Sequence, residues 1–152
     1  MMKKYLLTLL GILLIAFNAN SQNNNPNAPI FKFTEEVHDF GNIIEGPEAQ
    51  IEFVFTNVGK EPLIIMQANA SCGCTTPDWT KEPVMPGQKG SIKVKYTTKD
   101  RVGSFNKTVF IRSNAKSDKE RYEIQIKGNV ISASNTDKSI KINPSVQTPP
   151  KN

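Results

Sequence analysis

Through the middle of the chain, apolar and polar residues alternate with a period of two. Ile92, Val94 and Tyr96 alternate with Lys93, Lys95 and Thr97, and Ile51, Phe53 and Phe55 alternate with Glu52, Val54 and Thr56. Tyr122, Ile124, Ile126, Gly128 and Val130 alternate with Glu123, Gln125, Lys127 and Asn129. A strand turns successive side chains to opposite faces, so this spacing predicts strands with one dry face and one wet face. Residues 105–112 are apolar on both faces near their end, as a central strand requires. Residues 63–66 (LIIM) form a short apolar run behind Pro62, too brief for a helix, and predict a buried strand. With residues 31–33 and 37–44 the count reaches about seven strands. Turn-forming residues fall between them at 57–62, 85–90, 99–103 and 113–118. Pro86-Gly87 suits the centre of a type II turn, because proline presets φ and glycine accepts a positive φ.

Composition adds boundaries to this picture. At 152 residues, 38% hydrophobic and 22% charged, the chain is too short for two sizeable cores and too apolar to be wholly disordered. Residues 1–21 read as a secretory signal peptide: Met1-Met2-Lys3-Lys4 is basic, residues 5–17 are apolar, and small residues precede a cleavage point near Ser21/Gln22. As a helix the apolar run reaches roughly 20 Å, short of a ~30 Å hydrocarbon core, which disfavours a membrane anchor. No cysteine precedes Cys72, which excludes a lipid-modified cysteine at the cleavage site. Loss of Lys3 and Lys4 with the leader lowers the formal charge from +5 to +3, too weak to argue for nucleic acid. The expected organisation is a flexible linker at 22–29, a β-sandwich at 30–131 and a disordered tail at 132–152. No spanning segment remains in the mature protein, which is expected in the periplasm or outside the cell, where paired cysteines stay paired.

The most unusual local feature is Ala70-Ser71-Cys72-Gly73-Cys74-Thr75-Thr76-Pro77. Three readings stand: a structural disulfide or thiol pair, a redox-active pair, and a soft-metal site. Closing so small a loop removes only about 1.6 kcal/mol of unfolded-state entropy, so a Cys72–Cys74 bridge is a weak staple and an easily reduced one. Two thiolates are an incomplete zinc set. His38, Met66 and Met85 are the donors available to complete a copper(I) site. His38 stands beside Asp39, but no nucleophile with a partnered base accompanies it, so a local hydrogen bond is expected, with Phe40 anchoring a strand and Gly41 making a turn. Asp78-Trp79 is expected to cover one end of the sandwich. Lys89, Lys93, Lys95, Lys99 and Lys107 with Arg101 are either a basic face for anionic envelope polymers or a solvated face with edge-protecting lysines; the second is preferred. Asn69-Ala70-Ser71 and Asn106-Lys107-Thr108 match the N-glycosylation pattern, which is common by chance. No catalytic residue and no cofactor is assigned.

Several segments recur in the order of one pattern: Val37-His38-Asp39-Phe40-Gly41-Asn42-Ile43, Phe53-Val54-Phe55-Thr56-Asn57-Val58-Gly59, Pro62-Leu63-Ile64-Ile65, Ser71-Cys72-Gly73-Cys74-Thr75, Pro86-Gly87 and Ser113-Asn114. Over about residues 31–130 the chain resembles a bacterial secreted domain-of-unknown-function family (number fifteen seventy-three). The resemblance implies an immunoglobulin-like sandwich, related to the Hydin-type and major-sperm-protein domains, and an envelope location. It marks Cys72 and Cys74 as part of the family pattern and brings no reaction, substrate or cofactor. The expectation is a non-enzymatic module that binds an envelope protein or surface component; the alternative is a redox-active or copper-binding protein using Cys72 and Cys74.

Overall fold

The structure is a computed structural model that describes residues 25–117 and 121–135. The leader at 1–21, the first part of the linker and the tail beyond residue 135 lie outside the described residues. Within them the chain forms eight strands: β1 (Phe31–Phe33), β2 (Val37–Ile44), β3 (Ala49–Asn57), β4 (Ile65–Ala70), β5 (Thr75–Trp79), β6 (Lys89–Tyr96), β7 (Gly103–Ser113) and β8 (Tyr122–Ile131). One sheet runs β1-β3-β6-β5 and the other β2-β8-β7-β4. Only β2 and β8 pair in parallel; the other neighbours are antiparallel. The fold is all-β, an immunoglobulin-like sandwich. No helix among the described residues is long and apolar enough to cross a membrane.

The period of two becomes the core directly. Phe53, Phe55, Ile92 and Val94 from one sheet meet Phe40, Ile43, Val109, Ile111, Ile124, Ile126 and Val130 from the other, all essentially inaccessible to water. Each such side chain contributes about 1.5–3 kcal/mol of transfer free energy. The Pro86-Gly87 turn forms as expected: Gly87 takes φ 78° and the Gln88 N–H donates to the Met85 carbonyl at 2.9 Å.

Three local expectations change. Residues 63–66 are not a uniformly buried strand. Leu63 and Ile65 are buried, but Ile64 and Met66 are 41% and 57% exposed, because strand alternation turns them outward. Leu63 forms an isolated bridge with Val84, and β4 proper begins at Ile65. The second change is Gly41, which makes a bulge inside β2 rather than a turn: it has φ 64°, and the register against β8 shifts between Asp39 and Asn42. Its N–H donates to Asp39 Oδ1 at 2.9 Å. Third, residues 75–79 are a strand, β5, on the edge beside β6, where Pro77 lacks an N–H to offer an intruding chain.

Buried polar groups tie the layers together. Asn57 is inaccessible to water; its Nδ2 donates to the Glu61 and Val84 carbonyls at 2.8 and 2.9 Å, and its Oδ1 accepts from the Ile30 and Gly59 N–H groups at 3.3 and 3.0 Å. Thr98 does the same work at the other end, donating to the Pro47 carbonyl at 2.6 Å and accepting from the Gly46 N–H at 2.9 Å.

At the β1 edge the rings of Phe31 and Phe33 lie 5.2 and 5.3 Å from that of Tyr122, whose hydroxyl donates to Glu36 Oε1. Burial, and then Glu36, push the Tyr122 phenol up to about 12. An unfolded tyrosine titrates near pH ~10, so the fold prefers the protonated phenol. That contribution is complete below pH ~10 and is lost as the pH rises through the folded value. Denaturant midpoints measured from pH 9 upward are expected to fall for the wild-type protein and to fall less steeply for Tyr122→Phe.

Candidate functional site

Cys72 and Cys74 occupy the corner at which the chain leaves β4 in one sheet and enters β5 in the other. The structure joins their sulfurs in a disulfide, with the Cα atoms 5.3 Å apart. Cys74 is buried at 6% exposure and packs into the core, whereas Cys72 is half-buried. Thr75 Oγ1 lies 3.6 Å from Cys72 Sγ and 3.8 Å from Cys74 Sγ. Disulfide sulfurs carry no hydrogen, so the hydroxyl is the donor.

The corner is held from both sheets. Ser71 donates its N–H to the Thr108 carbonyl at 2.9 Å, and its Oγ accepts from the Thr108 N–H at 3.2 Å. The Cys74 carbonyl accepts from the Thr97 N–H at 3.0 Å, and the Cys72 carbonyl from the Thr75 N–H at 3.3 Å. Gly73 stands clear: a Cβ there would meet nothing within 4 Å.

Trp79 does not cap an end of the sandwich. From β5 it reaches across to β4, where its Nε1–H donates to the Ile65 carbonyl at 3.3 Å and so closes part of the β4 edge. Lys81 holds its ammonium 3.2 Å above the Trp79 ring and 3.1 Å from Asp78 Oδ1. The Lys81 hydrogen bond, followed by the Trp79 N–H, keeps the Asp78 carboxyl below its ordinary range.

The structure does not bring the remaining soft donors to the cysteines. Met66 is six residues back along β4, roughly 20 Å at ~3.3 Å per residue, and Met85 follows Val84 beside the same distant end. His38 is on β2, with β8 and β7 between it and the cysteine corner, roughly 14 Å at ~4.8 Å per strand. Its Nδ1 meets Glu35 Oε1 at 3.1 Å and its ring stands edge-on to Phe40 at 4.6 Å, the local role expected; Nε2 is buried without a partner. Asp39 is held below its ordinary range first by the Gly41 N–H and then by Lys127. Among the described residues no three His, Cys, Asp or Glu side chains form a metal-holding group.

The basic residues divide as well. Lys89, Lys93 and Lys95 line the wet face of β6, where Lys93 stands in register between Glu52 and Asp78. Lys107 belongs to β7 in the opposite sheet, and Lys99 and Arg101 lie between the two strands. The six do not share a face.

Residues 31–130 match the family described as Protein of unknown function (DUF1573). The chain belongs to this family. The DUF1573 match takes in β1 to β7, the cysteine corner and all of β8 but its last residue, Ile131. No curated protein matches the chain in sequence. Among solved structures it is similar to a protein of unknown function from Porphyromonas gingivalis W83, at 15% identity and TM-score 0.62, over 72% of this chain and 51% of that one. This DUF1573 chain thus spans about half the length of that protein. It is also similar to the ASH/PapD-like domain 7 of human CEP192, at 8% identity and TM-score 0.54, over 78% of this chain and 96% of that one. A third likeness is to the VesB protease of Vibrio cholerae, at 14% identity and TM-score 0.50, over 72% of this chain and 33% of that one. Likeness at these identities shows the fold alone.

Proposed function

We propose that this chain is an exported, non-enzymatic interaction module whose sandwich engages another protein of the cell envelope. The observation that carries this reading is a strip of outward apolar side chains around the Leu63–Val84 bridge. Ile64 and Met85 directly follow the two bridged residues at 41% and 53% exposure, Met66 follows at 57%, and the exposed prolines 62, 83 and 86 flank them. Burying these groups against a partner removes apolar area from water, and flexible methionines adapt to varied partner surfaces. The amino-terminal leader pattern supports export. A photo-reactive amino acid placed at position 66 or 85 in growing cells is expected to give a discrete crosslink to another envelope protein, with none from position 95 on the lysine face. The same products from position 95 as from 66 would overturn the reading.

A second reading concerns the sulfur pair and rests on its position. Cys72 and Cys74 are bonded across a single glycine at a partly accessible corner, where the bond does little as a staple. In this reading the pair is redox-responsive.

A further inference from the structure

We infer that the Cys72–Cys74 disulfide is a polarised exchange site that oxidises dithiols of extended exported polypeptides, with Cys72 the attacked sulfur and Cys74 the leaving one. This inference rests on the redox-responsive reading of the pair. Which sulfur is attacked in thiol–disulfide exchange depends on access, and access here is unequal: Cys72 is half-buried while Cys74 is sealed in the core. An incoming thiolate therefore meets Cys72 first. The Thr75 hydroxyl, 3.6 Å from Cys72 Sγ and 3.8 Å from Cys74 Sγ, is within reach of whichever sulfur takes on charge, so the polarity rests on access alone.

The steps balance. A thiolate of the polypeptide attacks Cys72 Sγ, forming a mixed disulfide, and the Cys72–Cys74 bond breaks with its electron pair going to Cys74 Sγ, which takes up a proton. The second thiolate of the polypeptide attacks its own sulfur in the mixed disulfide and expels Cys72, which is protonated in turn. Two electrons and two protons pass to the pair, and the polypeptide leaves with a disulfide.

The neighbouring strand supplies the reason for an extended polypeptide. β7 runs from Gly103 to Ser113, but β4 pairs only with its Val109–Ser113 portion, and Ser71 makes the last link at Thr108. Beyond that link, residues 103–107 pair with β8 on one side, and among the described residues no strand pairs with them on the other. An extended segment added along this stretch continues the line of β4 and ends against Cys72, with main-chain hydrogen bonds holding it.

The test uses the processed protein isolated in its oxidised form, with acid-quenched thiol mapping by mass spectrometry. With a ten-residue dithiol peptide of high strand propensity, the pair is expected to be reduced about tenfold faster than with reduced glutathione at equal thiol concentration. The transient adduct is expected on Cys72. In single-cysteine variants, Cys74→Ala, which keeps Cys72, is expected to form a mixed disulfide with oxidised glutathione at least tenfold faster than Cys72→Ala. Should either variant fail to fold, the adduct position in the wild-type protein gives the same answer. A pair that stays oxidised in millimolar reduced glutathione and with the peptide overturns the redox reading itself. A pair that is reduced but carries the adduct equally on both sulfurs leaves that reading standing and overturns the polarity. Equal rates with peptide and glutathione overturn the polypeptide substrate.

Discussion

Replacing Asn57 by leucine is expected to destabilise the sandwich by about 4 kcal/mol, read as a fall in the denaturant midpoint with an unchanged slope. The amide makes four hydrogen bonds from a fully buried position, to the Glu61 and Val84 carbonyls and from the Ile30 and Gly59 N–H groups. Leucine has similar bulk but removes all four bonds, at ~1 kcal/mol or more each; the Ile30 and Gly59 N–H groups and the Glu61 carbonyl lose this partner outright, while the Val84 carbonyl keeps the Leu63 N–H. Those partners lie on the entry to β1, the loop after β3 and the segment before β6, so the loss spreads through both ends of the chain's path across this face. Against a total stability of about 5–15 kcal/mol, that is a large share. Asn57→Asp sharpens the test. At neutral pH it points a carboxylate at two carbonyl oxygens, and lowering the pH is expected to restore part of the loss because the protonated carboxyl regains one donor. A stability within about 0.5 kcal/mol of wild type for both variants would contradict the hub role of Asn57.

Gly59→Ala is expected to expel the amino-terminal segment while leaving the two sheets paired. A Cβ at Gly59 would lie 2.4 Å from the Ala28 carbonyl oxygen, 2.5 Å from Pro29 Cα and 2.7 Å from the Ile30 nitrogen. All three are backbone atoms, so no side-chain rotation relieves the clash; the segment itself must move. Its displacement breaks the bonds from the Val58 N–H to the Ile30 carbonyl and from the Lys116 N–H to the Pro29 carbonyl, at 3.0 and 2.8 Å. We expect a loss of about 3 kcal/mol, from overpacking together with the broken hydrogen bonds. Fast amide exchange should be confined at first to residues 25–33 and their direct partners. Gly73→Ala is the control. Its Cβ meets nothing, and stability should stay within about 0.5 kcal/mol of wild type. Equal effects at the two glycines would show that close approach is not what Gly59 serves.

The legible part of the fold is the part that repeats. β3, β6 and β8 announce themselves because every second residue must be apolar, and the same residues form the core. β5 carries no such signal: of its five residues only Thr75 is buried, and Pro77 argues against a strand unless the strand is known to lie on an edge. Ile64 and Met66 are indistinguishable in sequence from Leu63 and Ile65, because composition alone does not give the phase of a four-residue apolar run. Lys107 joins the other basic residues in a list but not in space, since β6 and β7 lie in different sheets. The cysteine pair was visible from its spacing. Its unequal burial and its place beside the stretch of β7 that β4 does not reach depend on where the chain crosses between sheets, which no local pattern records. Asn57 reads as an ordinary turn residue until the four backbone groups around it are assembled by segments distant in sequence.

Export of the chain and oxidation of the pair meet in one measurement: the intact mass of the protein from cells quenched in acid and treated with a thiol-alkylating reagent. The expected species begins near Gln22, carries no alkyl group, and gains two after reduction. A chain that still begins at Met1 and takes up two alkyl groups without reductant would contradict both the proposed export and the disulfide between Cys72 and Cys74.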